Sequence, residues 1–342
     1  MAGTAGAVGT GDGGSDMAPP HVLFVRATMA ASLHPWMDDF IDALAGACEV
    51  VLFDPAAPVR EQFEGAPVVV DLGGFAPHEL IDAGRDAGVE LWQVLGYGLD
   101  HIDVDYVHAS GIPLAHTPGA CTEVALAEHV FHLMLTVTRQ YRESRRVLAS
   151  AQYGGPFSDE LDGKTLGIVG FGASGRAVAR RALAFGMRVV AVDAIPLAAG
   201  DPDADACEYL GGLDSLDELL RASDFVSLHL PLTEETRHVL DSRAIAQMKS
   251  TAVVLNVARG ALIDTAALVD ALASGALRGA GLDVFEDEPL PPDHALVAIE
   301  GVFLTPHVAG LTWETSQRRG RFAAANVLRV LSGDGPIEGL VK

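Results

Sequence analysis

The sequence predicts an α/β protein built on two doubly wound parallel sheets, with the second unit inserted into the chain of the first. Short apolar stretches alternate with helical periodicity through most of the 342 residues, first over 21–95 and again over 165–305. That alternation is typical of parallel strands with helices on both faces of the sheet. Only the second series opens on a glycine-rich turn, so the two units are expected to have different tasks.

The first series supplies four predicted strands. They are His21–Arg26, Glu49–Phe53, Pro67–Asp71 and Leu91–Leu95, with helical periodicity over Met37–Ala47 and Ala76–Ala87. A long helix is expected from about Glu123 to Ser150, and its length suits an interface between domains or between subunits. Residues 1–20 are rich in Gly, Ala, Ser and Asp, which predicts a disordered tail.

The second series is organised around a strand, a glycine turn and a helix. The strand is predicted at Thr165–Val169 and the helix from about Ser174 to Phe185, and Gly170, Gly172 and Gly175 give the spacing G-x-G-x-x-G. The first glycine permits the tight turn, the second lets a pyrophosphate approach the backbone, and the third lets helix and strand pack closely. Because strand, turn and helix occur together, the segment predicts a Rossmann-like dinucleotide site rather than an ordinary turn.

The identity of the dinucleotide follows from the next strand, Arg188–Asp193. It ends in a carboxylate 18 residues after Gly175. A carboxylate at this place accepts hydrogen bonds from an adenosine ribose and repels a 2′-phosphate. The sequence therefore predicts NAD rather than NADP.

Four further strands complete a predicted six-stranded sheet, and a helix of about Glu314–Leu331 can return to the first unit. The strands are Asp224–Leu230, Ala252–Val257, Gly279–Val284 and Gly301–Thr305. We therefore expect residues 21–119 with 310–342 to form a substrate-binding domain and residues 120–309 to form the NAD-binding domain. Hinges are expected near 119–121 and 309–311.

Composition narrows the class of protein. The net charge of −23 argues against nucleic acid and anionic membranes as partners, and no apolar run reaches the length of a membrane helix. The three cysteines, Cys48, Cys121 and Cys207, are too widely spaced for a metal or redox motif and predict a reducing, cytoplasmic setting. No carboxylate–histidine set completes a metal site around His129 and His132.

Three polar residues follow the carboxyl ends of strands in the second unit, where ligands bind in open parallel sheets. They are Arg259, Glu288 and His307. An arginine can bind a carboxylate through two N–H groups, a histidine can transfer a proton, and a nearby carboxylate can fix the tautomer of that histidine. Each has an ordinary explanation alone, as a surface ion pair, a solvated acid or a capped loop. Together, beside a nicotinamide fold, they indicate reduction of a 2-oxoacid.

A second glycine-containing loop, Gly96–Asp103, follows the last strand of the first series. Its backbone N–H groups could bind a carboxylate, or the loop could be a plain turn. The residues of the loop alone do not decide between these two interpretations.

From about Leu91 to Trp313 the chain resembles the D-isomer-specific 2-hydroxyacid dehydrogenase family. The resemblance depends on the glycine fingerprint and on the segments 227–233, 256–260, 281–284, 288–289 and 305–307. It implies a substrate-binding domain, an inserted NAD-binding domain, and reduction of a 2-oxoacid to the D-2-hydroxyacid. The substrate is expected to be hydroxypyruvate, glyoxylate or a bulkier 2-oxoacid, and a homodimer is the expected assembly.

The resemblance also assigns residues. It implies that Arg259 binds the substrate carboxylate and carbonyl, that His307 is the acid/base, and that Glu288, the acid directly before a proline, is its partner. On the substrate side it implies Tyr97, Gly98 and Trp313. On the cofactor side it implies Gly170, Gly172, Ala173, Ser174 and Gly175 at the pyrophosphate, Asp193 at the ribose, His229 and Pro231 beside the adenine, and Thr122, Val257, Asp283 and Gly310 near the nicotinamide.

Three departures and two alternatives stand beside this interpretation. Ala173 replaces a polar residue that is common in the family, Tyr97 is larger than the usual residue, and Trp313 stands where smaller residues are common.

A formate- or phosphite-type dehydrogenase shares this fold but needs no acid for a carbonyl group. An NAD-sensing corepressor-like protein also shares it, and would bind the dinucleotide without turnover.

Overall fold

Two parallel sheets of five and seven strands form the core of the protein. The computed structural model describes residues 21–26, 34–195 and 201–342. The tail predicted at 1–20 lies outside the described residues. Both sheets contain only parallel pairs of neighbouring strands, which confirms the predicted α/β class with two doubly wound sheets.

The five-stranded sheet has the order β2-β1-β3-β4-β5. Its strands are β1 (His21–Arg26), β2 (Glu49–Leu52), β3 (Val68–Leu72), β4 (Leu91–Val94) and β5 (Leu114–His116). Its helices are α1 (His34–Leu44), α2 (Val59–Phe63), α3 (His78–Ala87) and α4 (Val104–Ser110). Strands β3 and β4 are buried at every residue, because helices cover both faces of a parallel sheet.

The seven-stranded sheet has the order β12-β11-β10-β9-β6-β7-β8. Its strands are β6 (Thr165–Val169), β7 (Arg188–Asp193), β8 (Tyr209–Gly212), β9 (Phe225–Leu228), β10 (Val253–Asn256), β11 (Gly279–Leu282) and β12 (Val302–Leu304). The order reverses between β6 and β9, and the carboxyl ends of these two strands form the crevice in which such sheets bind dinucleotides.

Eight helices accompany the seven-stranded sheet in the described part of the chain. They are α5 (Glu123–Thr138), α6 (Tyr141–Ala149), α7 (Ala173–Ala184), α8 (Pro202–Asp205), α9 (Leu216–Ala222), α10 (Ser242–Ile245), α11 (Thr265–Ala273) and α12 (Ala295–Ala298). One apolar cluster joins Val130 and Leu133 of α5 to Val178 of α7 and to Leu166 and Ile168 of β6. Full burial of such side chains contributes about 1.5–3 kcal/mol each.

The long helix predicted over 123–150 is two helices, and that prediction is wrong. Helix α5 ends at Thr138, and Gln140 then adopts a left-handed backbone with φ 49° before α6 begins. A left-handed residue cannot continue a right-handed helix. The Gln140 side-chain amide donates to the carbonyl oxygen of Phe157 at 2.5 Å, which helps to fix the break. Helix α5 packs on the seven-stranded sheet and on α7.

Two short edge strands were also missed. Strand β5 has three residues, and β8 has four residues of which Gly211 and Gly212 carry no side chain to indicate a strand. Glycine is unfavourable in strand interiors, so a sequence pattern gives no signal there. The second sheet therefore has seven strands rather than six.

The chain returns to the first sheet after β12. Helix α13 (Trp313–Ser332) packs on α1 and against β3 and β4, close to the predicted bounds of 314–331. Ala323 and Val327 of α13 share a buried cluster with Phe24 and Phe40. The following segment runs beside β5, where His116 N–H donates to Gly339 O at 3.0 Å.

Candidate active site

The glycine turn after β6 is fixed by close approaches of the backbone. Gly170 has φ 100°, and a Cβ there would lie 2.6 Å from the carbonyl carbon of His229, which follows β9. A Cβ on Gly175 would overlap the carbonyl oxygen of Gly170. The first and third glycines therefore serve the packing of strand, turn and helix, as their spacing predicts.

Gly172 is different, because a Cβ at this position would meet no atom of the described residues within 4 Å. The open space lies directly before α7, which begins at Ala173 without a side-chain cap from the described residues. The first N–H groups of a helix lack partners within the helix and, with the dipole, attract anions. The space and the donors both fit the pyrophosphate of a bound dinucleotide. Ala173 and Ser174, the first two residues of α7, would lie beside it.

Asp193 ends β7 beside this turn. Its carboxylate accepts hydrogen bonds from the backbone N–H groups of Phe171 and, at 2.8 Å, of Ile195. These bonds fix the side chain of Asp193 at the edge of the dinucleotide crevice while leaving lone pairs for a ribose. The arrangement fits NAD.

His229 links the strand β9 to the turn. One ring nitrogen lies 3.1 Å from Ser174 Oγ and the other lies 2.8 Å from Ser227 Oγ. Desolvation lowers the pKa of this imidazole to about 4, so the ring is neutral near pH 7. Pro231, two residues on, is exposed, and its carbonyl oxygen accepts from Thr236 Oγ1 at 2.7 Å.

His307 and Glu288 are hydrogen-bonded to each other at the carboxyl edge of the same sheet. The His307 Nδ1 lies 2.7 Å from Glu288 Oε2, and Glu288 Oε1 accepts from the N–H of Phe285 at 2.9 Å. Burial opposes ionisation of Glu288, but the hydrogen bond and charge of His307, the Phe285 N–H and the charge of Arg259 outweigh it. The pKa of Glu288 is therefore lower than usual. The imidazole is half exposed and leaves its Nε2 edge available for a ligand.

The loop that carries His307 is held by Asp283, a fully buried carboxylate. Asp283 Oδ1 accepts from the N–H of Val308 at 2.9 Å and Oδ2 accepts from that of Ala309 at 2.8 Å. The hydroxyl of Thr305 donates to Asp283 Oδ1 at 2.5 Å and lies 2.9 Å from His129 Nε2. Desolvation would raise the pKa of Asp283, but these hydrogen bonds lower it overall.

Arg259 stands on a loop that packs against the Glu288 loop. A Cβ on Gly260 would overlap the backbone of Phe285, so glycine allows the two loops to touch. The Asn256 side chain donates to Arg259 O at 2.8 Å and thereby shapes the loop. The guanidinium reaches the other sheet, where Nε donates to Asp100 Oδ2 at 2.5 Å and Nη2 fills the space that a Cβ on Gly98 would need.

Two further predicted substrate residues, Tyr97 and Trp313, are exposed aromatic side chains. Tyr97 is 46% exposed, and its ring lies 3.5 Å from the Cβ position of Gly119. The same Gly119 position lies 3.6 Å from the Cβ of Ala173, so the loop after β4 lies close to the start of α7. Trp313 is 70% exposed at the start of α13.

Three cofactor residues predicted near the nicotinamide are more enclosed. Thr122 and Val257 are buried, and the Thr122 hydroxyl donates to Gly119 O at 3.2 Å. Gly310 follows the His307 loop, and its Cβ position lies 3.6 Å from Arg319 Nη2. Thr122 lies between β5 and α5, and Gly310 lies between β12 and α13, so both are in the segments that connect the two sheets.

Sequence reasoning missed Asp100, Asn256 and the role of His129. The sequence identifies His129 only as a histidine without a metal site, whereas in the structure it contacts Thr305 and, at 3.5 Å, Asp283. Its position opposite the His307 loop depends on tertiary packing, which no local pattern reveals. The sequence signal for Asp100 was its position in the loop Gly96–Asp103, which had been considered for its glycines. Among the described residues, no three His, Cys, Asp or Glu side chains form a metal-binding group.

Comparison with known proteins agrees with this geometry. A family model described as the NAD binding domain of D-isomer specific 2-hydroxyacid dehydrogenases matches residues 131–309. A glyoxylate reductase of Thermofilum pendens is 39% identical over 266 residues, which are 75% of this chain and 76% of that protein. A hydroxypyruvate reductase of Thermotoga maritima is 40% identical over 248 residues, which are 71% of this chain and 77% of that protein.

The fold agrees as well. The crystal structure of a glyoxylate reductase from Paecilomyes thermophila superposes with a TM-score of 0.79 at 30% identity, covering 95% of this chain and 99% of that one. The family model matches more than half of the chain, and the two relatives and the solved structure match most of its length. The chain therefore belongs to the D-isomer specific 2-hydroxyacid dehydrogenase family, whose NAD-dependent members interconvert 2-oxoacids and D-2-hydroxyacids.

Proposed function

We propose that the protein reduces a 2-oxoacid of the glyoxylate or hydroxypyruvate type, with His307 as the acid, Glu288 as its partner and Arg259 as the carboxylate clamp. The observation that carries the proposal is the 2.7 Å contact between His307 Nδ1 and Glu288 Oε2, beside the loop of Arg259, which packs against the Glu288 loop. The names of the relatives, glyoxylate reductase and hydroxypyruvate reductase, support the choice of substrate class.

When NADH is bound, it supplies the hydride for C2 of the substrate. Glu288 accepts the Nδ1–H of His307 and so directs Nε2–H toward the cleft. Protonated His307 gives the Nε2 proton to the carbonyl oxygen as negative charge develops there. The depressed pKa of Glu288 keeps the partner ionised while the imidazole changes its charge.

Arg259 retains enough donors to hold the substrate. A guanidinium has five N–H groups, and two of them donate to Asp100 Oδ2 and Ala258 O, so three have no acceptor among the residues that the structure describes. The contact of Nη2 with Gly98 brings the guanidinium to the loop whose backbone N–H groups were predicted to bind a carboxylate. The two halves of the proposed clamp are therefore adjacent.

Two exposed aromatic side chains support a substrate larger than glyoxylate as the second candidate. Tyr97 and Trp313 expose 46% and 70% of their surfaces, and exposed rings of this size can pack on an apolar side chain. We propose that they set the upper limit on the substrate's size.

We propose the division of the chain predicted above, with residues 21–119 and 310–342 as the substrate-binding domain and 120–309 as the NAD-binding domain. The two sheets and the return of α13 to the first sheet support it. Closure of the two domains around the substrate would exclude water from the hydride transfer.

We also propose a homodimer in the cytoplasm. Helix α6 buries none of its residues, and Leu148, Tyr153 and Phe157 are exposed on it and on the segment that follows. A surface of this kind is typical of an interface with a second copy. Cys48, Cys121 and Cys207 are free thiols, which suits a reducing compartment. In the described ranges, no helix combines the length and the apolar character needed to cross a bilayer.

The testing experiment follows NADH absorbance with glyoxylate, hydroxypyruvate, pyruvate, phenylpyruvate and branched 2-oxoacids, with NADPH in parallel. We expect turnover with NADH on at least one of them, and loss of productive binding in Arg259→Ala. Arg243→Ala, which removes a surface arginine paired with Asp217, is the matched control. Full activity of Arg259→Ala would contradict the clamp.

Two outcomes would favour the alternative functions. Oxidation of formate or phosphite with NAD, without any 2-oxoacid activity, would support a formate- or phosphite-type dehydrogenase. NADH binding without turnover, together with a change in oligomer size, would support an NAD-sensing corepressor-like protein.

A further inference from the structure

The ion pair between Arg259 and Asp100 joins the two sheets. Asp100 lies on the loop after β4 of the five-stranded sheet, and Arg259 follows β10 of the seven-stranded sheet. Nε donates to Oδ2 at 2.5 Å, and the two side chains are only 27% and 23% exposed. A charge-assisted hydrogen bond at this distance is stronger than a neutral one and less screened than a surface pair.

The loop that carries Asp100 is fixed at both ends. At its start, Thr117 N–H donates to Gly96 O at 3.0 Å, and His116 Nδ1 lies 2.7 Å from Tyr97 O. At its end, Asp103 Oδ1 caps α4 by accepting from Tyr106 N–H at 3.0 Å. A carboxylate on such a loop has a defined place relative to the cleft.

The guanidinium is consequently held on three sides. Asp100 takes Nε, the carbonyl oxygen of Ala258 accepts from Nη1 at 2.8 Å, and the backbone of Gly98 lies against Nη2. Arginine side chains have much rotamer freedom, and a clamp that is ordered before binding loses less entropy when the substrate arrives. A carboxylate that fixes the guanidinium through Nε leaves donors of the two Nη atoms for a ligand.

We propose that Asp100 is a positioning residue for the reaction, which orients the Arg259 guanidinium toward the substrate carboxylate by its bond to Nε. The inference depends on the proposed role of Arg259 as the clamp. Asp100 acts only through Arg259, so its loss should affect binding of the oxoacid and leave binding of the dinucleotide unchanged.

The test measures KM and kcat for glyoxylate, and the dissociation constant of NADH, in Asp100→Ala and Asp100→Asn. Loss of a hydrogen bond to a charged group should raise the KM of Asp100→Ala by about ten- to a hundredfold, with a smaller change in kcat. Asp100→Asn keeps an oxygen acceptor for Nε without the charge, so its KM should lie between wild type and Asp100→Ala. Asp105→Ala, an exposed carboxylate in the first turn of α4, is the control.

The outcomes separate this inference from the proposed function. An unchanged KM in both Asp100 variants, with Arg259→Ala still defective, would overturn the positioning role alone. A lower KM in Asp100→Ala would also overturn it, because Asp100 would then compete with the substrate for Arg259. A fully active Arg259→Ala would instead contradict the clamp itself. If Asp100→Ala does not fold, the KM of the isosteric Asp100→Asn tests the proposal: a raised KM supports the positioning role, and an unchanged KM contradicts it.

Discussion

The backbone N–H of His307 donates to the carbonyl oxygen of Asp283 at 2.7 Å, so the proposed acid is tied to the end of a neighbouring strand. His307 has φ 55°, an unusual conformation for a residue with a side chain. The Asp283 carboxylate holds the next two N–H groups of the loop. The loop keeps its conformation because the buried carboxylate satisfies these donors.

Asp283→Asn should therefore impair catalysis without touching the proposed acid. An amide places an NH₂ group against one of two backbone donors, which leaves that donor unsatisfied at a cost of about 1–3 kcal/mol. We expect a lower melting temperature and a kcat reduced by about tenfold or more, measured with the same oxoacid. Asp287→Asn, on the exposed loop nearby, should change neither quantity.

The two directions of the reaction should depend on pH in opposite ways. Reduction needs the imidazolium form of His307 and should slow as pH rises, whereas oxidation of the D-hydroxyacid needs the neutral imidazole and should accelerate. Because the pKa of Glu288 is lowered, its carboxylate is ionised at neutral pH and can orient His307. Glu288 becomes protonated only as the pH falls below the ordinary carboxylate range. His307→Gln should lose about 10²–10⁴ in kcat while binding NADH normally. Rates that are flat from about pH 5 to 9 would argue against His307 as the acid.

Gly172→Ala tests whether the open space before α7 belongs to the dinucleotide. A Cβ there meets nothing in the described residues, so the melting temperature of the free protein should stay the same. Because the methyl group would enter the space of the pyrophosphate, the dissociation constant of NADH should rise by roughly tenfold or more. Gly155→Ala also adds a Cβ to open space, far from the turn in the sequence, and is the control. Equal NADH affinity in the two variants would remove Gly172 from the cofactor site.

His229 should make the stability of the protein depend on pH. Its pKa is about 4 in the folded protein against 6.5 for a free histidine, so the unfolded chain binds more protons between these values. The folded state is therefore favoured above about pH 6.5 and loses that advantage as pH falls toward 4. His229→Gln should flatten the fall in melting temperature over this range. A fall as steep as in the wild type would show that other groups cause it.

The sequence indicated the parts of the site that are encoded locally. Strand, glycine turn, helix and the terminal Asp193 all lie within about thirty residues, as the dinucleotide unit requires, and each glycine has a steric task that its spacing reveals. Arg259 and His307 drew notice in the sequence because they follow strands whose carboxyl ends meet at one edge, whereas Glu288 was chosen through the family resemblance, and the roles of all three residues stay predictions.

The parts that escaped prediction depend on long-range contacts or on weak local signals. Asp100 meets Arg259 only because the two sheets face each other. The break at Gln140 uses a left-handed conformation at a residue that is neither glycine nor asparagine. The edge strand β5 has only three residues, and half of β8 is glycine, which gives no side-chain pattern. In each case the deciding energy comes from packing, which overrides local propensity.

The return of α13 to the first sheet has a consequence for biosynthesis. Ala323 and Val327 cover the face of the five-stranded sheet that carries Phe24 and Val70, yet they leave the ribosome after the whole seven-stranded sheet has been made. Since domains fold largely in the order in which they emerge, the seven-stranded unit can reach its final form while that apolar face still awaits its cover. A nascent chain stalled before residue 313 should therefore bind a chaperone through the uncovered apolar face of the five-stranded sheet, although the seven-stranded unit with its glycine turn has already folded.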